Sequence, residues 1–569
     1  MLFRRQWSMV SAFVGSALTF GGACSQNKMD GFSNEDWVRV SAIAPRSTPM
    51  VLNPFDTRGD DDAIAKFGQR MFFDKRGSGP LSVDGPTGKG PYQAIDPVTG
   101  LPAVDPVTMK PKITPGESGK SGCVTCHGST YMVDARPYPV SFGTSWGSHN
   151  TPTMANVGYM GTTIFWTGRF DSMREHGAGA SGGLLGMHEV YKYHRDEYNA
   201  VFPETPLDPA LDPAAPDAAR FPATANIRSA TTVNGVTTMS ADGVFEKMTK
   251  ADQFAVAQFR GNMGIAFEAH PRKVNTPDSP FERYVRNEDE SALSDSAKNG
   301  LRLFIGKGSC IDCHNGPALS DTQFHNIGVP TQAFVSPGST TPGVPDRGRG
   351  AVFANMNNQL MQLRTNEGLD QLDQVVLLGG SGQFSDDAVK GRKRIEDIDA
   401  ANCVTRTSDV TAVTVACTAL FFPGTPADDT KVPPVAAKPA DMRLQLCIDR
   451  NTAAGICTQY TDAFEGAFRT PMLINVAETG PYFHTGEVKT LRDVVNHYNK
   501  GGGAPGTFAG TKSVRLQPLG LTEPEIDDLV EFLKSLTGTP PDPNWMCDPE
   551  LPPAPAGVAS VANGPCATI

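Results

Sequence analysis

The chain has 569 residues, of which 39% are hydrophobic and 20% are charged, and its formal net charge is −11. This composition is typical of a globular protein and argues against a disordered chain or one built from membrane spans. The acidic balance and the lack of a basic run argue against a nucleic-acid partner. At this length we expect more than one domain.

The first residues have the pattern of an export signal. Two arginines form a basic start, an apolar stretch covers residues 9–20, and small residues follow directly before Cys24. The apolar stretch is too short to cross a bilayer as a helix. We therefore expect a signal peptide over residues 1–23 and a polar tether over 24–60. The mature protein is expected in the periplasm or cell envelope of a Gram-negative-type bacterium, where a lipidated Cys24 could anchor it to a membrane.

Two pentapeptides of the form C-x-x-C-H carry the strongest chemical signal. They are Cys123-Val-Thr-Cys126-His127 and Cys310-Ile-Asp-Cys313-His314. This is the attachment motif of c-type haem, in which two thiols bond to the macrocycle and the following His binds the iron. A redox-active or zinc-binding C-x-x-C would not require the His that follows both pairs. We therefore predict two covalently bound haem c groups, each with one of these histidines as iron ligand.

Helical periodicity predicts the main elements in chain order. Residues 61–74 have apolar side chains on one face, residues 240–267 form a long helix, and residues 293–304 form a helix directly before the second motif. Residues 522–536 form a further helix that begins with a capping box. A helix followed by a haem motif thus occurs twice, and this weak internal repeat implies two related domains.

The repeat and the elements set the expected domain boundaries. The N-terminal domain is expected over residues 61–285 and the C-terminal domain over 286–540, followed by a tail over 541–569. A disulfide-rich segment is expected as an insertion at about 360–460.

Six cysteines remain once Cys24 and the four haem-motif cysteines are set aside. They are Cys403, Cys417, Cys447, Cys457, Cys547 and Cys566. An exported protein can form disulfides, and neighbours in sequence are the first candidates to pair, which gives Cys403–Cys417, Cys447–Cys457 and Cys547–Cys566. Other connectivities stay open.

Several segments, in this order, resemble the bacterial di-haem cytochrome c peroxidase/MauG superfamily. Besides the two haem motifs they are FWTGR (165–169), FHNIGVP (324–330), DRGRG (346–350) and FRTPMLINVAETGPYFHTGEVKTLRDVV (468–495). The resemblance runs from about residue 60 to 540 and is interrupted by insertions. It implies a mainly α fold with two cytochrome c-like haem domains and loop-rich insertions, with the haems facing each other across the domain interface.

The resemblance also implies roles for single residues. Trp166 matches a tryptophan that lies between the two haems and can relay electrons, although a packed core tryptophan is the alternative. Asn150, Thr479 and Pro481 match the ligands of an inter-domain calcium ion, a cation that prefers oxygen ligands.

The second haem is expected to take its sixth ligand from the helix after the PYFH segment. Tyr498 occupies that place, as in MauG-type proteins, and a tyrosinate oxygen favours ferric or higher-valent iron. His497 is the adjacent competitor and would give a bis-His haem.

The first haem is expected to be five-coordinate or to hold only water. Phe142 stands where peroxidases that need reductive activation have a loop His. The distal Gln and Glu of peroxidases are replaced in simple register by His176 and Gly186, with Glu189 just beyond. We take His176 and Glu189 as candidate acid–base residues. This departure from the family pattern leaves the oxidant open.

Four other histidines are interpreted from their surroundings. His325 and His484 recur in the family's second domain and are interpreted as structural residues near the haem edge. His194 and His270 have no pattern around them and are expected at the surface.

The leading hypothesis is an exported di-haem oxidoreductase of the peroxidase/MauG type. Peroxide would accept electrons at the first haem, and Trp166 would connect it to the second. The electron source would be a redox protein, such as a small cytochrome or a cupredoxin, or an organic substrate. Two alternatives stay open: a dioxygen-using oxygenase that resembles the rubber oxygenases, and a non-enzymatic electron-transfer cytochrome.

Overall fold

The structure is a computed structural model. It describes residues 29–44, 58–78, 119, 121–136, 138–160, 164–168, 170, 173–223, 230–233, 236–239, 247–286, 289–331, 333, 345–348, 404–406, 413–415, 465–554, 557, 559–560 and 562–567. The predicted signal peptide, Cys24, four of the six spare cysteines and most of the predicted insertion at 360–460 lie outside these residues. Within them, no helix is both long and apolar enough to cross a membrane.

Helices dominate the described secondary structure, which confirms the predicted mainly α fold. They are α1 (Asn34–Ala42), α2 (Asp62–Phe73), α3 (Cys123–Cys126), α4 (Met173–Ala180), α5 (Gly183–Val201), α6 (Lys250–Lys273), α7 (Pro280–Arg286), α8 (Asp295–Ile305), α9 (Leu491–Asn499), α10 (Glu523–Lys534) and α11 (Pro543–Met546). The strands form three short antiparallel pairs. These join β1 (Ala230–Val233) to β2 (Val236–Met239), β3 (Phe324–His325) to β6 (Phe468–Arg469), and β4 (Val404–Arg406) to β5 (Val413–Val415).

The predicted helices are present, with one shift in position. α2 and α8 lie where periodicity predicted them, and α10 begins with the predicted capping box, in which the backbone N–H of Thr522 donates to Glu525 at 2.8 Å. The long helix α6 begins about ten residues later than the predicted residue 240. Its N-cap is Thr249, whose hydroxyl accepts from the backbone N–H of Asp252, and a capping side chain fixes where a helix starts.

The two helices that precede the haem motifs pack in the same way. Gly68 of α2 lies so close to α6 that a Cβ atom there would come within 2.0 Å of the carbonyl oxygen of Ala266. Gly300 of α8 lies equally close to α10, where a Cβ atom would be 2.0 Å from the carbonyl oxygen of Asp528. A G-x-R-x-F pattern starts at both glycines. The weak repeat in the sequence therefore corresponds to a repeated helix pair in the structure.

Buried apolar side chains form two large clusters, one in each half of the chain. The first joins α2, α5 and α6, and the second joins α8, α9 and α10. Helix α1 adds Phe32, Val40 and Ile43 to the second cluster. Burial of each such side chain stabilises the fold by roughly 1.5–3 kcal/mol. The prediction of a tether over 24–60 is therefore wrong for residues 29–44, which are a packed part of the second half.

Three fully buried polar side chains join the two halves. Thr276, which follows α6, accepts hydrogen bonds at its hydroxyl from the side-chain amides of Asn156 at 2.7 Å and Asn475 at 2.8 Å. The backbone N–H of Thr276 donates back to Asn156 at 3.1 Å. All three side chains are 0% exposed, and both asparagines have left-handed backbone conformations, at φ 59° and 61°. We call this group the asparagine junction.

The C-terminal tail folds back onto the first half of the chain. Cys547 is bonded to Cys566, which confirms that predicted pair. Gln69 of α2 donates to the carbonyl oxygens of Asn544 and Cys547, and His270 of α6 contacts the carbonyl oxygen of Trp545 at 2.8 Å. Residues 543–566, which we call the clasp, are thus part of the first half's packing.

The clasp corrects the expectation that two histidines lie at the surface. His270 is 1% exposed, and burial lowers its pKa to about 4. His194 is 5% exposed and lies between the carboxylates of Asp74, at 2.9 Å, and Glu197, at 3.1 Å. The prediction failed because Asp74, a partner of His194, and Trp545, the partner of His270, are distant from them in sequence.

Removal of the clasp disulfide should destabilise the protein. A Cys547→Ser/Cys566→Ser variant frees a loop with a sequence separation of 19 residues. The chain-entropy model then predicts a loss of about 3 kcal/mol in the free energy of unfolding. Urea denaturation of the haem-loaded protein, followed by circular dichroism, measures this loss. An unchanged urea midpoint would show that the clasp holds without its disulfide.

Candidate functional site

The first haem motif presents one histidine nitrogen and hydrogen-bonds the other. Cys123 and Cys126 begin and end the short helix α3, and His127 follows it. The Nδ1 atom of His127 lies 2.9 Å from the carbonyl oxygen of Met132, so it donates its proton there and leaves Nε2 available to a metal. Met132 has a left-handed backbone, with φ 54°. This turn holds the carbonyl beneath the imidazole.

The second motif repeats the hydrogen bond of the histidine and the left-handed turn. His314 donates from Nδ1 to the carbonyl oxygen of Leu319 at 2.9 Å, again five residues further along the chain. Leu319 also has a left-handed backbone, with φ 49°. Burial lowers the pKa of both His127 and His314, which favours the neutral imidazole that binds metals.

The cysteines of both motifs fit attachment of haem better than redox chemistry of their own. All four are unpaired, in contrast to the bonded Cys547 and Cys566. Burial raises the pKa of Cys123 and of Cys310 to about 12. Redox-active C-x-x-C pairs need a lowered thiol pKa. Two unpaired thiols beside an imidazole with a free Nε2 form the donor set that a covalent haem requires.

One cavity connects the two motifs and collects most of the predicted site residues. Its wall includes His127 of the first motif and Cys310, Cys313 and His314 of the second. The predicted site residues on the wall are Asn150, Trp166, His176, Thr479, Pro481 and Tyr498. Glu189 is not on it.

Trp166 is held in the cavity wall by backbone groups from both halves of the chain. Its indole N–H donates to the carbonyl oxygen of Asn150 at 2.8 Å, and its own carbonyl oxygen accepts from the backbone N–H of Arg469 at 2.7 Å. The indole ring centre is 6.4 Å from that of His484, which stacks on Phe468 at 3.5 Å. An indole fixed in this way has a single orientation in the cavity.

Tyr498 and His497 point in different directions. Tyr498 lies on the cavity wall that His314 shares, whereas Nε2 of His497 donates to the carbonyl oxygen of Ile327 at 2.9 Å. Burial, followed by the thiols of Cys313 and Cys310, holds the pKa of Tyr498 well above its usual value. A phenol here stays protonated unless a cation binds its oxygen.

The two candidate acid–base residues of the first haem lie in different places relative to the cavity. His176 of α4 lies on the cavity wall, with its ring centre 4.8 Å from that of Phe165 and 5.2 Å from that of Phe170. Glu189 of α5 is half-buried beside Gly77, away from the cavity wall. Phe142 is 1% exposed and packs edge-on against Trp146. Of the two predicted acid–base residues, the structure brings His176 alone to the cavity.

The predicted calcium residues share one stretch of the cavity wall. The side-chain amide of Asn150 donates to the carbonyl oxygen of Pro139 at 3.0 Å, and its Oδ1 accepts no hydrogen bond from the described residues. Thr479 and Pro481 flank Gly480 in the loop that precedes α9. Amide and carbonyl oxygens are suitable calcium ligands.

Two features of the cavity escaped the sequence reasoning. Arg469 was treated only as part of a family segment, yet its buried side chain lines the cavity. The second feature is a T-P-x-x-x-N-V repeat, found at residues 151–157 and 470–476. Its Thr-Pro ends line the cavity and its Asn ends form the asparagine junction. A search for short repeats with equal internal spacing would have found it.

Comparisons with known proteins show what the chain is similar to. Residues 116–290 match the family model described as di-haem cytochrome c peroxidase. The chain is 30% identical to the cytochrome-c peroxidase IdrP1 of Denitromonas iodatirespirans over 274 residues, and the aligned region covers 48% of each chain. It is 22% identical over 447 residues to the methylamine utilization protein MauG of Methylorubrum extorquens, covering 76% of this chain and 77% of that one.

The chain spans about half the length of the IdrP1 relative. Among solved structures, the diheme peroxidase BthA from Burkholderia thailandensis aligns with a TM-score of 0.45 and 15% identity, covering 84% of this chain and 87% of that one. The family match and the two curated relatives confirm the predicted resemblance to the di-haem cytochrome c peroxidase/MauG superfamily.

Substitution at Tyr498 should change the second haem, whereas substitution at His497 should not. Tyr498→Phe removes the hydroxyl from the cavity, so we expect altered absorption and electron paramagnetic resonance signals from the ferric second haem. His497→Phe is the matched control, because His497 is not on the cavity wall and its imidazole donates to the backbone carbonyl oxygen of Ile327. A second-haem spectrum that is unchanged in Tyr498→Phe would exclude Tyr498 as the sixth ligand.

Proposed function

We propose that this protein is an exported di-haem c-type oxidoreductase of the cytochrome c peroxidase/MauG type. Peroxide is the electron acceptor at the first haem, and Trp166 carries electrons to it from the second. The observation that carries the proposal is a single cavity that contacts both His127 and His314 and includes Trp166 in its wall. Two covalently bound haem c groups would supply the redox chemistry.

The two haem sites differ on the side opposite the proximal histidine. At the second site, Tyr498 is available as an oxygen ligand, with Cys313 and His314 on the same cavity wall. At the first site, Phe142 occupies the loop position where other peroxidases have a His, and its side chain has no atom that can bind iron. The first iron is therefore the open one, where a small oxidant can bind.

His176 is the residue proposed to move a proton at the open site. Its imidazole is fixed by edge contacts with Phe165 and Phe170. A ring nitrogen can take a proton from one peroxide oxygen and return it to the other, the task that a carboxylate performs in related peroxidases. Glu189 would need a rearrangement of α5 to reach the same place.

Trp166 is proposed to relay electrons across the cavity. Its indole N–H donates to a backbone carbonyl, that of Asn150, which cannot accept the proton outright. The indole is thus held for electron transfer and not for proton transfer. The same Asn150, with Thr479 and Pro481, is proposed to bind calcium and to brace this wall.

The remaining proposals concern location and partners. We propose that the protein works in the periplasm or cell envelope, anchored through Cys24 if that residue is lipidated. Its electron source is a small cytochrome, a cupredoxin or an organic substrate. No nucleic acid is involved.

A peroxide titration of the ferric protein tests the proposed function. We expect pyridine haemochrome analysis to find two haem c groups, and electron paramagnetic resonance to find one high-spin and one low-spin iron. Stoichiometric peroxide should then remove both ferric signals. Two low-spin irons whose signals do not change with peroxide would favour the electron-transfer cytochrome. Dioxygen uptake without added peroxide would favour the oxygenase.

Two variants in the same titration separate the candidate acid–base residues. His176→Ala should slow the reaction with peroxide by about 100-fold or more, the usual contribution of a general acid–base group. Glu189→Gln should leave the rate near that of the wild type, because Glu189 is away from the cavity wall. A slow Glu189→Gln variant beside a His176→Ala variant of near wild-type rate would assign the acid–base role to Glu189.

Trp166→Phe should slow electron transfer between the haems. Phenylalanine keeps an aromatic ring but is much harder to oxidise, so we expect a decrease of roughly tenfold or more, a barrier increase of about 1.4 kcal/mol. Stopped-flow absorption of the protein with a reduced second haem, mixed with peroxide, measures this rate. Trp146→Phe is the control, since Trp146 packs on Tyr138 and Phe142 outside the cavity wall. Equal rates in both variants would remove Trp166 from the path.

A further inference from the structure

Arg469 places a buried positive charge at the cavity without a negative partner. It lies in β6 and is 7% exposed. Its Nε donates to the carbonyl oxygen of Phe165 at 3.0 Å, and one Nη contacts the sulfur of Met160 at 3.8 Å. Among the described residues, no carboxylate lies within ion-pair distance of its guanidinium. The side chain nevertheless forms part of the cavity wall.

A charge in such a place needs compensation. Removal of an ion from water costs several kcal/mol even after the protein relaxes, and neutral carbonyls recover only part of that. Burial lowers the pKa of Arg469 to about 10, so the guanidinium is still charged at neutral pH. The compensating anion must come from a group that occupies the cavity.

The anionic side chain that acts on Arg469 is already engaged elsewhere. Asp321 attracts the guanidinium from a distance, but its carboxylate pairs with His325 at 2.8 Å. Burial alone would lower the pKa of His325, but Asp321 and the sulfur of Cys313 together raise it to about 10. Asp321 and His325 thus neutralise each other and leave Arg469 uncompensated.

We propose that Arg469 binds the carboxylate of a haem propionate inside the cavity. This inference rests on the proposed function, because it requires the haems. The planar guanidinium has five N–H donors, and its contacts with Phe165 and Met160 use Nε and one Nη, so donors remain for a carboxylate. Other basic groups on the wall are less suited: burial lowers the pKa of His484 to about 3, which leaves it neutral, and Arg515 is exposed.

This contact would make Arg469 a positioning residue with two effects. A cation beside the macrocycle favours the reduced, less positive iron and so raises the midpoint potential of that haem. The side chain of Arg469 donates to the carbonyl oxygen of Phe165 and its backbone N–H donates to that of Trp166, so one residue would hold both the propionate and the Trp166 turn. The turn itself has a left-handed residue at Phe165, with φ 67°.

Redox titration and resonance Raman spectroscopy of the haem-loaded protein test the proposal. Arg469→Met should lower the midpoint potential of one haem and shift the bending frequency of its propionates. Arg469→Lys should keep most of the potential and still shift the frequency, because an ammonium group cannot form the same paired contact. Arg302→Met is the control: it removes one positive charge from the exposed side of α8 and should change neither quantity.

The outcomes separate this proposal from the proposed function. Wild-type potentials and propionate frequencies in Arg469→Met, with both haems attached, would overturn the propionate contact alone. If Arg469→Met does not load its haems, Arg469→Lys decides, and a wild-type propionate frequency there overturns the contact. Absence of covalent haem from the wild-type protein would instead overturn the proposed function.

Discussion

The geometry of the cavity depends on the asparagine junction. Asn156 and Asn475 come from different halves of the chain, and both donate to the hydroxyl of Thr276 in a space that water does not reach. A buried amide without partners costs about 1–3 kcal/mol, so each side chain requires the other two. Each asparagine ends a T-P-x-x-x-N-V segment whose Thr-Pro end lines the cavity. A fixed junction therefore fixes two segments of the cavity wall, one from each half of the chain.

The two haem motifs are alike on the side of the iron-binding histidine and differ in the residues around them. His127 and His314 make the same hydrogen bond to a left-handed residue five positions later, so the proximal sides are alike. Differences arise from segments outside the repeat. Helix α9 brings Tyr498 to one part of the wall, and α4 brings His176 to another. Attachment is duplicated, whereas ligation and proton transfer are specific to each half.

Local sequence predicted those parts of the structure whose causes are local. Helical periodicity and caps located α2, α8 and α10, and the C-x-x-C-H spacing located both iron ligands. The failures share a physical cause, which is a partner distant in sequence. The segment around α1 packs Phe32, Val40 and Ile43 into a core formed by residues near 300 and 530, and no local pattern indicates that contact. Similarly, the clasp covers α2 and α6, which buries His270, and no local pattern reports that contact.

The choice between Tyr498 and His497 shows that part of the site can be predicted from the sequence. Adjacent residues on a helix point about 100° apart, so Tyr498 and His497 occupy different positions around α9. In α9, the cavity-lining side chains are Val494, Val495 and Tyr498, at the three- and four-residue spacing of a single helix face. The apolar pair therefore identifies the face, and Tyr498 is the polar residue that continues it. His497 lies one step around the helix, where it can satisfy a loop carbonyl. Arg469 differs, because nothing in FRTP shows that its side chain lacks a carboxylate partner. That fact depends on the packing of both halves around one cavity, and it becomes visible only when the halves are assembled.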